Sequence, residues 1–314
     1  MDISQTFDKS TLHRTKFILL LIFQIPSILL TISIFLYFIK HPAHVRNIRH
    51  QALLLLLIVN FIQLTCDIPM PMHFYRFGFV QPSTSIFCTW WTFFEYSLDV
   101  IIALLTAIIS IHRHVLIFHD QLLQNRLQRY LIYYLPLLFC VIYPLIVYTI
   151  LIFIYPCDGT QWDYTSNVCG FANCYLIYNR TLALYDWIGH NGLPTVIIIV
   201  ANVLLIIRVI KKKHQHQQPM NWRKQRRMTV QLLSISLLFL IAWLPSLIIG
   251  IGQQFINSSF AIDFQLNYAL DCIYLMCLFL PWICIKQITG FTHWIFFRFI
   301  HSPNDRQANT IRPM

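Results

Sequence analysis

Seven long apolar runs dominate this sequence, and each is long enough to cross the hydrocarbon core of a membrane. They occupy positions 17–39, 52–70, 86–111, 130–155, 187–207, 228–251 and 266–285. A spanning α-helix needs about 20 predominantly apolar residues. The runs lack the polar–apolar alternation of a membrane β-barrel strand, and only helices or closed barrels satisfy the backbone inside a bilayer. The sequence therefore predicts an all-α membrane protein that folds as a seven-transmembrane helix bundle.

The composition excludes a water-soluble core. Hydrophobic residues make up 57 % of the chain and charged residues only 11 %, which leaves too few charges to cover a globular surface. The first run carries no charge, follows Lys9, Arg14 and Lys16, and lacks a small-residue cleavage site. We interpret it as an uncleaved signal anchor and not as a removable signal peptide.

The distribution of basic residues predicts the orientation of the chain. With the amino terminus outside and the carboxyl terminus in the cytoplasm, only five of the 23 Lys and Arg residues face outward, as the positive-inside rule requires. The loop 208–227 alone holds eight bases and no acid. The net charge of +11 is thus interpreted as a signal for topology and for anionic lipids of the bilayer. We expect a multi-pass protein of the plasma membrane and no nucleic-acid partner.

Glycosylation triplets and cysteines agree with this orientation. The triplets that begin at Asn179 and Asn257 both fall in predicted outer loops, where such acceptors are modified. Four cysteines also lie at the predicted outer face, and an even number there permits two disulfides with three possible pairings. They are Cys88, Cys157, Cys169 and Cys174.

The chain is predicted to contain one bundle, 17–285, between two short flanking segments. Residues 1–16 form an extracellular amino-terminal segment in this interpretation. In 286–314 we expect a short amphipathic helix on the membrane surface, because aromatic and aliphatic residues recur there at helical spacing, followed by a short cytoplasmic tail. The one long loop, 156–186, is predicted to fold as a lid over the outer side.

Several residues in helices three to seven carry a resemblance to a known family. The sixth run contains Ala242-Trp243-Leu244-Pro245, which is similar to a Cys-Trp-x-Pro kink, and Cys88 opens the third run twenty-five residues before Arg113. Prolines also interrupt the other helices, at Pro69, Pro194 and Pro281, and each removes a backbone hydrogen bond and bends its helix. The chain resembles the rhodopsin-like (class A) family of G-protein-coupled receptors, over nearly all of its length.

The resemblance implies a signalling receptor without enzymatic activity or cofactor. An extracellular ligand would activate it, and heterotrimeric G proteins would be its cytoplasmic partners. The residues implied in coupling and activation are Arg113, Trp243, Pro245 and Pro281. The resemblance also implies a disulfide from Cys88 to the second outer loop; among the open pairings we favour Cys88–Cys169 together with Cys157–Cys174.

The sequence also departs from the family pattern. His112-Arg113-His114 stands where Asp-Arg-Tyr is usual, and Leu280-Pro281-Trp282-Ile283-Cys284 replaces Asn-Pro-x-x-Tyr. Asn60 stands where the family usually has an aspartate, so a sodium ion bound there is not expected. Because His112 cannot supply the acid next to Arg113, one hypothesis is a loosened resting state with raised basal signalling. The alternative is that Arg113 is an interfacial base that snorkels to the membrane surface.

Buried acids point to a ligand pocket. Glu95 and Asp99 are four residues apart and so share one helical face, and Glu95 lies where similar aminergic receptors carry the aspartate that binds the ligand's ammonium. A charge at the centre of a membrane helix costs about 2.5–3.5 kcal/mol on insertion scales, and intramembrane acids are candidate functional residues. The candidate ligand-binding residues are Glu95, Asp99, Tyr96, Asp67, His190, Trp243, Asp271 and Tyr274.

This pocket is predicted to accept a cation, either a basic peptide, which we slightly favour, or a biogenic amine. The alternative is that the acids pair with internal donors or are protonated. A retinal pigment is not expected, since Tyr274 stands where such a pigment has its lysine. A seven-helix cation or proton transporter or channel remains an alternative function, and a membrane enzyme is the least favoured. The pairs His112-x-His114 and His214-x-His216 could bind a metal only weakly, so no metal site is expected.

Overall fold

The computed structural model describes residues 3–45, 47–118, 120–157, 161–170, 173–214, 222–256 and 260–285, together with Ile288 and Phe291. Within these ranges every regular element is a helix, and seven helices are long and apolar enough to cross a membrane. The predicted seven-helix bundle is therefore confirmed. The predicted surface helix in 286–314, the triplet at Asn257 and the histidine pair ending at His216 lie outside the described residues.

The seven helices extend beyond the apolar runs from which they were predicted. They are α1 (Ile3–Lys40), α2 (His50–Phe77), α3 (Ser85–Phe118), α4 (Arg126–Ile154), α5 (Arg180–Lys211), α6 (Trp222–Phe255) and α7 (Ile262–Ile285). The predicted amino-terminal segment 1–16 is helical from Ile3 onward. The end of the bundle at which α1 begins is called the outer end below, and the opposite end is called the inner end.

Helix α3 is the centre of the bundle. It is the most deeply buried of the seven spans, and it contacts α2, α4, α5 and α6. Ala103 and Leu105, at its middle, are completely buried. The outward faces of the peripheral helices instead expose many Ile, Leu and Phe side chains, which is the surface expected of helices that face lipid. Polar groups in the middle of α3 are therefore enclosed mainly by protein.

Two π-helical segments direct polar side chains toward the interior of the bundle. Gln63–Asp67 interrupts α2, and Tyr185–Gly192 forms the outer part of α5. A π-segment shifts the helical register, and such segments are frequent at functional sites. Gln63 and Asp67 are completely buried as a result, and Asp186 and His190 are buried on α5.

The proline of α7 leaves backbone groups that two other helices satisfy. Pro281 has no amide hydrogen, so the carbonyl of Cys277, four residues earlier, has no helical donor. The side-chain amide of Asn60 on α2 donates to that carbonyl at 3.1 Å. The hydroxyl of Ser27 on α1 donates to the next carbonyl, that of Leu278, at 2.7 Å. The kink is thereby accommodated without an unpaired carbonyl facing lipid.

Two disulfides hold the outer loop between α4 and α5. Cys88, near the start of α3, is bonded to Cys169, and Cys157 is bonded to Cys174. The Cα atoms are 5.8 Å and 6.0 Å apart, within the usual range for a disulfide. The first bond fixes the loop over the end of the central helix, and the second closes the loop on itself.

Helix α5 begins earlier than the apolar pattern indicated. The side chain of Asn179 accepts hydrogen bonds from the backbone amides of Thr181 and Leu182 at 3.1 Å and 3.2 Å, which is the bonding of a helix N-cap. Residues 180–186, predicted to be loop, are helical for this reason, and Asp186 enters the bundle. Glycosylation of Asn179 stays a prediction.

A glycine allows α5 and α6 to approach closely at the outer end. A Cβ atom placed on Gly250 of α6 would lie 2.4 Å from Cζ3 of Trp187 on α5. Such a distance is far inside van der Waals contact, so the indole ring occupies the space that any other side chain would need. At Gly189, by contrast, the nearest atom to an added Cβ is Cδ2 of Tyr185, at 3.5 Å.

We predict that Gly250→Ala destabilises the protein by about 1–3 kcal/mol, the usual cost of overpacking, despite the higher helix propensity of alanine. Gly189→Ala is the matched control, and it should be neutral or slightly stabilising. Thermal unfolding of the purified proteins measures both. Equal unfolding temperatures for Gly250→Ala and the parent protein would contradict the close packing of Trp187.

Candidate functional site

A cavity lies in the outer half of the bundle, between α3, α4, α5, α6, α7 and the outer loop. Its empty space is about 540 Å³ when the part that is open to solvent is included. Its walls combine acidic, aromatic and aliphatic side chains. The lining residues are Glu95, Tyr96, Asp99, Val100, Tyr148, Val168, Leu176, Asp186, Trp187, Asn191, Trp243, Ser246, Leu270 and Ile273.

Half of the predicted ligand-binding residues line this cavity. Four of them, Glu95, Tyr96, Asp99 and Trp243, form part of its wall. The other four lie behind the wall or away from it, and each contacts another acidic or basic group. They are Asp67, His190, Asp271 and Tyr274.

Glu95 presents one unpaired carboxylate oxygen. Its Oε1 accepts a hydrogen bond from the Tyr274 hydroxyl at 3.1 Å, whereas Oε2 is buried and has no donor within the described parts of the chain. Only 7 % of the residue is exposed, and this part faces the cavity. One turn earlier on α3, the indole N–H of Trp91 is also buried and has no acceptor among the described residues. Glu95 is therefore held by one partner and is open to another.

Asp99 is positioned by a chain of hydrogen bonds that crosses three helices. The side-chain amide of Gln63 on α2 donates to Oδ1 of Asp99 at 2.7 Å. The carbonyl oxygen of Gln63 accepts from Sγ of Cys277 on α7 at 2.8 Å. Because both ends of the Gln63 amide are hydrogen-bonded, its orientation is fixed. The amide in turn holds the carboxylate of Asp99 in place.

Asp67 lies behind these two acids. It is one turn outward from Gln63 on α2, as Glu95 is one turn outward from Asp99 on α3, so the two pairs face each other across the helix interface. Asp67 is completely buried, and neither carboxylate oxygen has a hydrogen-bond donor in the described ranges. Its charge interacts with those of Glu95 and Asp99. The name α2–α3 acid cluster is used below for Asp67, Glu95 and Asp99.

Asp186, on the opposite wall, is fully compensated and was not predicted as a site residue. Its Oδ1 lies 2.7 Å from Nδ1 of His190 and accepts from the Tyr148 hydroxyl at 2.5 Å. Its Oδ2 accepts from the Tyr175 hydroxyl at 3.2 Å. Burial raises the pKa of Tyr175, which keeps that hydroxyl protonated and able to donate. The only sequence signal for this site would have been the Asn179 cap, which moves Asp186 from loop to helix.

Asp271 is separate from the cavity and has its own cation. Nζ of Lys16, on the extended part of α1, lies 2.5 Å from its Oδ2 and also donates to the carbonyl of Asn267 at 2.5 Å. The Tyr75 hydroxyl donates to Oδ1 of Asp271. The donors proposed from the sequence for these acids did not include Lys16, because 1–16 was predicted to precede the bundle.

The outer loop covers the cavity with a strained segment. Val168 lines the cavity and has a φ of 52°, and Cys169 has a φ of 53°. A β-branched residue in the left-handed region is uncommon, and the surrounding structure has to hold it there. The disulfide to Cys88 and a hydrogen bond from the amide of Asp163 to the carbonyl of Cys169, at 3.0 Å, provide that restraint.

Two tryptophans form part of the cavity wall. Trp187 and Trp243 line the cavity, and Trp243 stacks on Phe239, one turn further toward the inner end. Trp90, by contrast, is 47 % exposed and packs against Phe153 of α4. It faces away from the cavity.

At the inner end, Arg113 is buried and has no acidic partner among the described residues. It is 4 % exposed, and its Nε and Nη1 atoms have no hydrogen-bond partner in the part of the chain described. The neighbouring His112 turns to α4 instead, where its ring stacks on Tyr133 and its Nε2 lies 3.0 Å from the carbonyl oxygen of Ile132. The histidine that replaces the usual acid is thus bound to a different helix.

No group of three or more His, Cys, Asp and Glu residues within the described ranges has an arrangement that could hold a metal ion.

Comparison with known proteins agrees with the helical architecture and the motifs. The family model described as 7 transmembrane receptor (rhodopsin family) matches residues 36–284, which is most of the chain. A search of curated proteins returned no match. The match spans α2 to α6, nearly all of α7 and the inner end of α1. Members of this family are receptors and not enzymes. The chain belongs to the rhodopsin family of seven-transmembrane receptors.

Proposed function

We propose that this receptor binds a cationic extracellular ligand in the outer cavity and signals through heterotrimeric G proteins. The observation that carries the proposal is the contrast between the acids of the two cavity walls. Asp186 has His190 and two tyrosines as partners, whereas Oε2 of Glu95 has no donor among the described residues. A buried carboxylate without a partner is costly, and a ligand cation at Glu95 would supply that partner.

The shape of the cavity supports a small cationic group. The cavity is narrow and partly open to solvent, so in this proposal it takes the charged end of a biogenic amine or a single basic side chain of a peptide. Trp187 and Trp243 are placed in the wall, and aromatic faces attract cations within about 6 Å. In this proposal Glu95 binds the ammonium or guanidinium group, and Asp99 and the aromatic residues orient it.

The proposed orientation places the outer end in the extracellular space at the plasma membrane. The basic loop 208–227 then faces the cytoplasm, as do the tail 286–314 with its proposed amphipathic helix and the inner end of α3. Residues 1–16 would be extracellular, where Lys16 binds Asp271. Because the chain belongs to a receptor family, the transporter or channel alternative is no longer favoured.

We predict that Glu95→Gln weakens activation by any active amine or basic peptide about thirtyfold or more. Loss of one member of a buried charge pair costs about 2–5 kcal/mol, and each 1.4 kcal/mol is about tenfold in affinity. The measurement is G-protein dissociation in cells that express the full chain, exposed to a panel of amines and basic peptides.

Asp263→Asn is the matched control, because Asp263 is an exposed acid at the start of α7 and does not line the cavity. Its dose response should equal that of the parent receptor. An equal loss of potency in both variants, or an unchanged response in Glu95→Gln with normal surface expression, would show that the ligand does not bind at Glu95.

The arrangement of Arg113 and His112 at the inner end supports G-protein coupling with raised basal activation of the G protein. In this proposal Arg113 contacts the G protein, and Trp243, Pro245 and Pro281 transmit the change from the cavity. Because His112 is bound to α4, no acid next to Arg113 holds the resting state. The resting and active arrangements should then differ less in free energy than in a receptor that has this acid.

We predict that His112→Asp lowers basal G-protein activation severalfold, because the new carboxylate pairs with the buried guanidinium of Arg113 and stabilises the resting state. His112→Asn is the control for loss of the imidazole without gain of charge. Arg113→Ala should abolish both basal and stimulated activation. The hypothesis fails if His112→Asp and His112→Asn have the same basal activity at equal surface expression.

A further inference from the structure

We propose that Asp67, Glu95 and Asp99 form one proton-binding site, which holds at least one proton in the ligand-free receptor near neutral pH. The ligand of this site is the hydrogen ion itself. The site is built across α2 and α3, and it lies directly behind and within the wall of the cavity. Its existence does not depend on the proposed ligand, whereas its effect on ligand binding rests on the proposed function.

The first argument is the register of the two helices. Gln63 and Asp99 are in contact at 2.7 Å, and this contact fixes the level at which α2 faces α3. One turn outward, Asp67 and Glu95 are brought to the same level, and their charges interact. Three carboxyl groups therefore occupy two adjacent turns of one interface, in a region where α3 is enclosed by protein.

Hydrogen bonding to the cluster is incomplete. Neither oxygen of Asp67 nor Oε2 of Glu95 accepts a hydrogen bond of good geometry within the described parts of the chain, although Gln63 lies near Asp67, and Asp67 and Trp91 lie near Glu95. Asp67 has no exposed surface. The indole N–H of Trp91, which is also buried, has no acceptor among those residues. It lies one turn from Glu95 on the same face of α3. A protonated carboxyl group gains a donor and can share its proton with a neighbouring carboxylate.

Among the described residues, the neighbouring helices place no positive charge next to the cluster. From α7, the hydroxyl of Tyr274 and the thiol of Cys277 face it, and both are neutral groups near pH 7. Lys16 is bound to Asp271 at 2.5 Å. The titratable groups on the opposite wall are bound to one another: Asp186 contacts His190, Tyr148 and Tyr175. Tyr96 of α3 lies beside them.

Three of the described bases at the outer ends of α1 and α2 pack against aromatic rings. His13 packs against the rings of Phe74 and Tyr75, His73 packs against Phe77, and Arg76 lies over the rings of Phe17 and Phe77. Three adjacent carboxylates without a cation repel one another strongly in a protein interior. Protonation removes the repulsion and requires only access to water through the cavity.

Proton binding has a direct consequence for the proposed ligand. A ligand cation at Glu95 and a proton on the cluster neutralise the same negative charge, so each weakens binding of the other. Binding of one cation with release of one proton to solvent keeps the charge of the site constant. The apparent affinity for the ligand would then fall about tenfold for each unit of decreasing pH over the range in which the cluster is protonated.

Infrared difference spectroscopy of the full-length receptor in lipid nanodiscs tests the site without any ligand or G protein. The probe is the pH of the buffer, and the signal is the carbonyl stretch of protonated carboxylic acids, verified by its shift in D₂O. The spectrum of the triple variant Asp67→Asn/Glu95→Gln/Asp99→Asn is subtracted from that of the parent receptor. This difference spectrum should show the band at neutral pH. Asp67→Asn alone should lose the band at a lower pH than the parent, because one repelling charge is removed.

Asp263→Asn, which removes an exposed acid, is the control and should leave the neutral-pH band unchanged. If the triple variant does not fold, the single variants Asp67→Asn and Asp263→Asn decide the question. A band that is absent from the parent receptor, or that is identical in Asp67→Asn, would overturn the proposal. Absence of the band combined with salt-dependent stability would show that an inorganic cation occupies the site instead. None of these outcomes depends on whether Glu95 binds a ligand.

Discussion

The structure depends on three carboxyl groups that lie inside a membrane-embedded bundle and have no base beside them among the described residues. Gln63 binds Asp99, Tyr274 binds Glu95, and Asp67 has no donor within the described residues. An uncompensated charge in such a place is costly, so the acids need a proton or a bound cation. Both the proposed ligand and the proposed proton site follow from this one requirement. Two other acids of the bundle differ in having a basic residue as partner, Lys16 for Asp271 and His190 for Asp186.

Local departures from regular helix, and the backbone hydrogen bonds that they require, position these side chains. The π-segment of α2 turns Gln63 and Asp67 inward together, and that of α5 does the same for Asp186 and His190. The kink at Pro281 links α7 to α2 through Asn60. The functional residues are thus placed by local departures from regular helix, each of which is satisfied by a neighbouring helix.

The seven-helix bundle could be predicted from the sequence, and so could the position of Glu95 and Asp99 on one face of α3. Both predictions rest on local properties of the chain, the length of the apolar runs and a spacing of four residues. The partners of the acids could not. The contact of Lys16 with Asp271 requires α1 to continue outward to Ile3. The entry of Asp186 into the cavity wall requires the Asn179 cap. These features depend on tertiary contacts that no periodicity in the sequence encodes.

The proposed function requires that the outer cavity selects positive charge. The most direct test is thermal unfolding of the purified receptor with a matched series of small aromatic compounds that differ only in bearing an ammonium, a hydroxyl or a carboxylate group. A compound that binds the folded state raises its unfolding temperature. Only the ammonium members are expected to do so. Equal or greater stabilisation by the hydroxyl or carboxylate members would contradict it.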